Sequence, residues 1–525
     1  MTGSCPAMSV IGRQGTGTSE TRSPAPAWSI IGPTLFEQPY APAVALDARF
    51  VAEMVEVTWD GDIVGALCDY IRIPNVSPEY DAGWAEAGHM ERATELVRLW
   101  MAARPIDGMT VEVVRIAGRT PVILAVVPAS DGTVGPPTDS SVTDADADTV
   151  LLYGHLDKQP PMDGWRDGLG PWEPVLEGDR LYGRGGADDG YAAFASLTAI
   201  EAVRAGGGSH GRCVVLIEAS EESGSPDLPA YVERLGDRIG TPSLVVCLDS
   251  WAPDDQRLWV TTSLRGLIQA RLKVEVLTEG VHSGGAGGIV PSSFRVLRQL
   301  LDRIEDPATG SMLLSELSVD IPDERRSQAA DAVATGVDVR DDPPWVAAPV
   351  EGDPVELLLD NTWGSCLAVT GLGGAPPPEN AGNVLRAATE VALSIRLPPP
   401  CDPDEATIAV VRALTEHVPA QARVSIDVQA AEAGWAAPTT APWLSQALDE
   451  ASAATFGAPA GAVGVGGTIP FMAMLGETFP DAQFVITGVL VPGSNAHGPN
   501  EFLHIPTAKK VTAAVATILD AHARR

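Results

Sequence analysis

The sequence has no long apolar run, little positive charge and few cysteines, and each of these shortages excludes a class of protein. No stretch of about 18 apolar residues occurs, and no basic patch followed by an apolar segment opens the chain, so neither a membrane span nor export is expected. The 525 residues carry a formal net charge of -34 and a pI near 4.5. Such a surface repels nucleic acid and anionic membranes, so neither is expected as a partner.

Cysteine occurs six times and never as a Cys-x-x-Cys pair. Cys213 and Cys247 lie inside apolar runs, where small buried thiols are common. This usage is typical of a reducing compartment, and we therefore predict a cytoplasmic protein. Lysine occurs only four times and never within a Gly-Lys-Ser/Thr motif, so the common phosphate-binding loop is not expected.

The chain is longer than one hydrophobic core usually supports, so at least two domains are expected. Residues 1–45 are rich in Ser, Thr, Gly and Pro and are predicted to be a disordered tail or to precede the native start. We predict a first domain built from 46–262 and 434–525, with a second domain inserted at 263–433. The acidic segment 128–148 is expected to form a mobile surface loop.

Short apolar runs alternate with helical periodicity in the first domain. Strands are predicted at 151–153, 213–217 and 244–248, and residues 191–203 have helical spacing. This alternation predicts an α/β fold with a mixed, mostly parallel sheet that carries helices on both faces. In such sheets, sites form at the carboxyl ends of the strands.

The inserted segment has a different pattern. Strands are predicted at 267–277, 366–370, 390–397 and 423–428, with helices at 291–304 and 405–417. This β-α-β-β-α-β order predicts a ferredoxin-like α+β module. A Pro/Asp-rich excursion at 306–360 has no predicted element.

Five segments place a histidine or a carboxylate just after a strand-like run or in a loop. The candidate residues are His155 and Asp157, Asp188 and Asp189, Glu221 and Glu222, Asp249, and His497. Oxygen and imidazole donors in this number suit paired divalent metals that activate water. Each motif alone also fits a core histidine, a surface acid or a helix N-cap. Their occurrence together favours a two-metal site.

Two of these segments have local geometry that supports this interpretation. His155 and Asp157 are two positions apart, so on an extended segment both face the same way, and the carboxylate can orient a metal-binding imidazole. Adjacent carboxylates such as Glu221 and Glu222 repel each other unless a cation compensates them or they diverge. One of them can then bind metal while the other acts as a general base on water.

Seven motifs carry a resemblance to a known family: Tyr-Gly-His155-Leu-Asp157, Tyr-Gly-Arg-Gly-Gly-Ala-Asp188-Asp189, Glu221-Glu222-Ser-Gly-Ser, Cys-Leu-Asp249, Gly-Val-His282-Ser-Gly, Ser-Ile-Arg396-Leu and Gly-Ser-Asn-Ala-His497. In this order they resemble the di-zinc metallopeptidases of the carnosinase, aminoacylase and carboxypeptidase type. The chain is most similar to their carnosinase-like dipeptidase branch.

The resemblance implies two divalent metal ions, zinc in the first instance, with manganese or cobalt as alternatives. It assigns the ligands to the two ions as follows: His155 and Asp249 to one, Glu222 and His497 to the other, and Asp188 to both. It further implies that Asp157 orients His155, that Glu221 is the general base, and that the Asp188–Asp189 peptide is cis.

The resemblance also implies a substrate site shared between two domains and two subunits. His282, on the inserted lid and dimerisation domain, would reach the partner subunit's site and stabilise the oxyanion, so a homodimer is expected. Arg396 would anchor the substrate carboxylate. Asn383, Gly467 and Thr468 would contact the substrate, although the segment after Asn383 reads Val-Leu-Arg where relatives have a Val-Ile-Pro version.

The predicted function is hydrolysis of the amide bond of dipeptides or similar small substrates with a free carboxylate. Glu221 would take a proton from a metal-bridging water molecule and return it to the leaving amine. Two alternatives stay open: an N-acyl amino acid deacylase with the same metal chemistry, and a metal-binding homologue without catalytic activity. The presence of Glu221, which is not a ligand in this scheme, argues against the second alternative.

Overall fold

The computed structural model describes residues 46–130, 148–341 and 343–525. The predicted tail 1–45 and residues 131–147 of the acidic insertion lie outside the described residues. Among the helices of the described part, none is long and apolar enough to cross a lipid bilayer.

The described residues form fourteen α-helices: α1 Ala48–Thr58, α2 Val64–Ile71, α3 Trp84–Ala87, α4 His89–Ala102, α5 Ala192–Ala205, α6 Leu228–Ile239, α7 Ser283–Ala286, α8 Ser293–Leu301, α9 Asp323–Ala334, α10 Pro354–Thr362, α11 Pro403–Thr415, α12 Pro442–Thr455, α13 Pro470–Thr478 and α14 Ile505–Arg524. Aspartates cap the starts of three of them. The side chains of Asp47, Asp353 and Asp402 each accept two backbone N–H groups at the beginning of α1, α10 and α11.

The strands of the described residues are β1 Thr110–Val114, β2 Val122–Val127, β3 Thr149–His155, β4 Val175–Glu177, β5 Arg180–Tyr182, β6 Arg212–Glu218, β7 Pro242–Cys247, β8 Trp259–Leu264, β9 Gly266–Glu275, β10 Val281–His282, β11 Cys366–Gly373, β12 Val384–Leu385, β13 Ala388–Leu397, β14 Arg423–Glu432, β15 Trp435–Ala436, β16 Gly461–Val465, β17 Gln483–Ile486 and β18 Phe502–His504.

The largest sheet has six strands in the order β1-β2-β6-β3-β7-β17. Strands β6, β3, β7 and β17 run parallel, and β2 pairs antiparallel with both β6 and β1. Alternate residues of β3 pack into two different cores: Val150 and Leu152 into one, and Leu151 and Tyr153 into the other. Helices therefore cover both faces, which explains why the central strands are continuous apolar runs. The predicted mixed, mostly parallel α/β sheet is confirmed.

The parallel strands bring the candidate ligands to one edge. Strand β3 ends at His155, β6 ends three residues before Glu221, and β7 ends two residues before Asp249. Because β6, β3 and β7 are adjacent and parallel, these ends meet at the same carboxyl edge. Gly154 allows the turn before α5 to approach this edge closely, since a Cβ there would lie 2.5 Å from the Cβ of Ala192.

A second sheet contains β11-β13-β9-β14, all antiparallel. It has a core of its own, with Leu297 of α8 and Val410 of α11 packed beside Ile268, Leu272 and Ile395. The predicted β-α-β-β-α-β order and ferredoxin-like topology are confirmed. The exact domain boundaries at 262/263 and 433/434 stay a prediction.

The excursion at 306–360 contains structure that the sequence pattern did not indicate. It contributes α9 and most of α10. Helix α9 is polar, and its buried positions are Arg325, Ala329 and Ala332, which give a weak apolar stripe. The start of α10 had a readable signal that was missed, because Asp353 precedes a proline at the first helical position.

Candidate metal centre

Three of the predicted ligands converge at the carboxyl edge of the six-stranded sheet. Nε2 of His155 lies 3.2 Å from Oδ1 of Asp188 and 3.6 Å from Oδ2 of Asp249. One ligand atom from each residue lies within 4.8 Å of the other two. The imidazole is fully buried, so strand β3 and its neighbours fix its position.

A second group of three shares Asp188 with the first. Nε2 of His497 lies 3.1 Å from Oδ2 of Asp188 and 3.3 Å from Oε2 of Glu222. These ligand atoms also lie within 4.8 Å of one another. Asp188 thus points one carboxylate oxygen at each histidine, which is the arrangement expected of a bridging ligand.

The turn between β5 and α5 presents Asp188 to both groups. The Asp188–Asp189 peptide is cis, and both residues are buried. Oδ2 of Asp189 accepts a hydrogen bond from the backbone N–H of His155 at 3.3 Å. Asp189 therefore joins the turn to the end of β3.

Asp157 connects the first histidine to the glutamate pair. Its Oδ1 accepts from the backbone N–H of Glu221 at 3.1 Å, and its Oδ2 accepts from that of Glu222 at 3.0 Å. Nδ1 of His155 lies 3.5 Å from Oδ1 of Asp157. One carboxylate thus holds the short helical turn at Glu221–Ser223 in register with His155. Oε2 of Glu221 lies 3.9 Å from Nε2 of His155, at the mouth of the first group.

The crowded carboxylates perturb one another. Burial, together with neighbouring acids, raises the pKa of Glu221 and Glu222 well above the usual range, and raises the pKa of Asp249 to about 6. Burial opposes ionisation of Asp188 as well, but hydrogen bonds with His155 and His497 lower its pKa below the ordinary value.

This donor set fits two divalent cations. The pKa values of these carboxylates are raised because their negative charges are costly without a compensating cation. Each group offers one imidazole nitrogen and carboxylate oxygens from two acids, a mixture that zinc, manganese and cobalt accept. The structure therefore brings together all five residues that were predicted as ligands, with Glu221 and Asp157 beside them.

The predicted carboxylate anchor lies on the second sheet, next to the predicted substrate loop. Nη1 of Arg396 donates to Oγ1 of Thr468 at 2.8 Å, and Thr468 in turn donates to the backbone carbonyl of Arg265. Burial and the nearby charge of Arg265 lower the pKa of Arg396. The backbone carbonyl of Gly467 accepts from the N–H of Arg265. A half-buried arginine beside a second guanidinium favours an anionic ligand.

His282 and Asn383 lie close to each other and outside the two ligand groups. Strand β10 pairs with β12, and the N–H of Ser283 donates to the backbone carbonyl of Asn383. The His282 side chain is exposed, and its Nδ1 accepts from the N–H of Gly284. The roles predicted for His282 and Asn383 stay predictions.

A cavity of about 400 Å³ lies near the predicted substrate loop, and the proposed ligands do not line it. Its wall includes Trp251, two residues beyond Asp249, and Gly467, beside Thr468. Val337 and Leu358, both in the excursion at 306–360, also line it. A space of this size accommodates a small-molecule ligand.

Two charged residues that the sequence analysis left without a role are central to this site. Arg184 and Glu501 form a buried ion pair of 2.7 Å between the Asp188 turn and the His497 loop. Arg184 lies in the Gly-Arg-Gly-Gly run, and Glu501 follows His497 by four positions. Their closeness to ligand motifs was the only signal in the sequence.

Comparison with known proteins gives a consistent result. The model of the family described as Peptidase family M20/M25/M40 matches residues 151–521. The chain is 28% identical over 380 residues to the cysteinylglycine-S-conjugate dipeptidase of Corynebacterium striatum, covering 69% of this chain and 80% of that protein. It is 32% identical over 171 residues to the β-Ala-His dipeptidase of Homo sapiens, covering 32% of this chain and 33% of that protein.

A solved structure supports the fold. The crystal structure of human carnosine dipeptidase 1 superposes with a TM-score of 0.70 at 23% identity, covering 92% of this chain and 100% of that chain. The family match spans every ligand described above, from His155 to His497. The chain therefore belongs to peptidase family M20/M25/M40 and is a metallopeptidase.

Proposed function

We propose that this protein is a dipeptidase that hydrolyses the amide bond of dipeptides or similar small substrates with a free carboxylate, using two divalent metal ions. The similar proteins from Corynebacterium striatum and Homo sapiens are both named dipeptidases. The observation that carries the proposal is the shared carboxylate of Asp188, which faces one histidine with each oxygen. Zinc is the proposed ion, with manganese or cobalt as alternatives.

The proposed ligands are His155 and Asp249 for one ion, Glu222 and His497 for the other, and Asp188 for both. When bound, such ions polarise an amide carbonyl and lower the pKa of water. Glu221 is the proposed general base. Its largely buried carboxylate lies 3.9 Å from Nε2 of His155, where it can take a proton from water and return it to the leaving amine.

The substrate carboxylate is proposed to bind at Arg396, beside Thr468 and Gly467. In the described part of the chain, the Arg396 guanidinium donates to the Thr468 hydroxyl and forms no ion pair with a carboxylate. The terminal carboxylate of a substrate supplies an anion for this guanidinium. This requirement makes the enzyme an exopeptidase, because an internal peptide bond offers no such group.

The protein is proposed to act as a homodimer in which His282, with Asn383 beside it, completes the partner subunit's site. Strand β11 forms one edge of the second sheet and exposes Val369 and Leu372. An exposed apolar edge of this kind is suited to pairing with a second copy.

A cytoplasmic location is also proposed. Four of the described cysteines, Cys213, Cys247, Cys366 and Cys401, are free, as expected in a reducing compartment. Fractionation of cells that produce the protein checks this, and recovery outside the cytoplasm would contradict it.

Substrate choice provides the first test. We expect unblocked dipeptides to be hydrolysed at least tenfold faster, as kcat/KM, than the corresponding N-acetyl amino acids. Dipeptide amides should be poor substrates, because they offer Arg396 no carboxylate, and a loss of roughly 10- to 100-fold corresponds to about 1.5–3 kcal/mol for a charged hydrogen bond. Preference for the acetylated compounds would favour a deacylase instead.

Replacing the general base provides the second test. Glu221→Gln should lower kcat by at least about 100-fold, the usual contribution of such a group, while two metal equivalents stay bound. Glu233→Gln, on the exposed face of α6, is the matched control and should have wild-type activity. Metal analysis and steady-state kinetics on the same samples give both readouts. A full hydrolytic rate in Glu221→Gln would refute the assignment.

Mixing inactive variants provides the third test. If His282 acts across a dimer, then Glu221→Gln and His282→Ala subunits should complement each other after reassortment. One site of each mixed dimer then has both groups, so about one quarter of all sites should recover. A mixture of Glu221→Gln with His155→Ala should stay inactive, because both changes affect the subunit's own site. Failure of the first mixture to recover, despite exchange of subunits, would show that His282 does not act on the partner subunit's site.

A further inference from the structure

Arg184 and Glu501 form an ion pair that is enclosed by protein. Nη1 of Arg184 lies 2.7 Å from Oε2 of Glu501, and the two side chains are 1% and 0% exposed. Burying two charges is costly unless the geometry is good and the remaining polar atoms are bonded. The remaining atoms of this pair are bonded, and their partners lie in the segments that carry the metal ligands.

Arg184 uses its other donors on backbone carbonyls. Its Nη2 donates to the carbonyl of His497 at 3.1 Å and to that of Gly498 at 2.8 Å. Its Nε donates to the carbonyl of Pro160 at 3.2 Å, in the segment that follows Asp157. A planar guanidinium is suited to this, because its five N–H groups point in fixed directions.

Glu501 bonds the turn that leads to Asp188. Its Oε1 accepts from the backbone N–H of Gly185 at 2.9 Å and from that of Ala187 at 3.4 Å, directly before Asp188. The ion pair therefore joins the turn that presents Asp188 to the loop that presents His497. These two segments are more than 300 residues apart in the chain.

The two histidine ligands differ in how they are held. His155 is fully buried on a central strand, whereas the His497 side chain is 59% exposed. The His497 backbone has a positive φ of 64° in a loop that carries no regular secondary structure. Side-chain packing thus gives His497 little support, and the position of its ring depends on its backbone. In the described part of the chain, Arg184 is the side chain that bonds the His497 carbonyl.

We propose that Arg184 and Glu501 are positioning residues for the metal site formed by Asp188, Glu222 and His497. Without the pair, that site binds its ion weakly, while the site formed by His155, Asp188 and Asp249 keeps its ion. This inference rests on the proposed two-metal function. It adds that the two sites are held together differently. A strand supports the site with His155, and a buried ion pair supports the site with His497.

Metal titration of the full-length protein tests the proposal. Metal-free wild-type protein, prepared by chelation and dialysis, is titrated with Co²⁺ and followed by calorimetry and by the visible spectrum of bound cobalt. We expect two equivalents to bind. In Arg184→Met the first equivalent should bind as in wild type and the second at least tenfold more weakly, since losing a supporting contact of a ligand typically costs 10- to 100-fold in affinity.

A double variant separates positioning from charge balance. Arg184→Met leaves the Glu501 carboxylate buried without its partner, which lowers stability by itself. Arg184→Met with Glu501→Met removes both charges, so the thermal midpoint of unfolding should recover towards wild type. The second equivalent should still bind weakly, because the contacts to the His497 loop are absent. Recovery of that affinity in the double variant would overturn the proposal.

Arg325→Met is the matched control. Arg325 is a buried arginine on α9, and its Nη2 donates to the backbone carbonyl of Ala437, outside the ligand segments. The Arg325→Met protein should bind two equivalents of Co²⁺ with wild-type affinities, even if its stability is lower. Equal affinities in wild type and Arg184→Met would overturn this inference alone. A single equivalent in wild type would overturn the two-metal function as well.

Discussion

The two groups of candidate metal ligands share one carboxylate, that of Asp188. Asp188 lies in a buried turn and faces His155 with one oxygen and His497 with the other. Neither group of three is complete without it. Burial and the neighbouring acids raise the pKa values of Glu221, Glu222 and Asp249, because their negative charge is costly there without a compensating cation. Divalent cations fit this concentration of carboxylates for the same reason.

Different parts of the fold position different residues of the candidate site. The parallel sheet fixes His155 and the strand ends that lead to Glu221 and Asp249, whereas loops bring in Asp188 and His497. The second sheet carries Arg396, and a hydrogen bond from Arg396 to Thr468 joins that sheet to the proposed substrate loop. Asp157 links the first imidazole to the glutamate turn. Direct polar contacts therefore connect the proposed ligands His155 and Glu222 with the proposed base Glu221.

The candidate ligands His155, Glu222 and Asp249 and the candidate base Glu221 were readable from the sequence because each lies at or just after an apolar strand. His155, Glu221 and Asp249 follow apolar strands closely, and parallel strands end at one edge. The partnership of Arg184 with Glu501 was not readable, since it spans more than 300 residues and neither partner lies in a periodic pattern. Helix α9 was missed because its buried face is alanine and arginine, not large apolar residues.

The most direct test of the account is anomalous diffraction from crystals of the zinc-loaded protein. Two peaks are predicted, both beside Asp188. One should be bound by His155 and Asp249, and the other by His497 and Glu222. A single peak, or two peaks that do not share Asp188, would contradict the account.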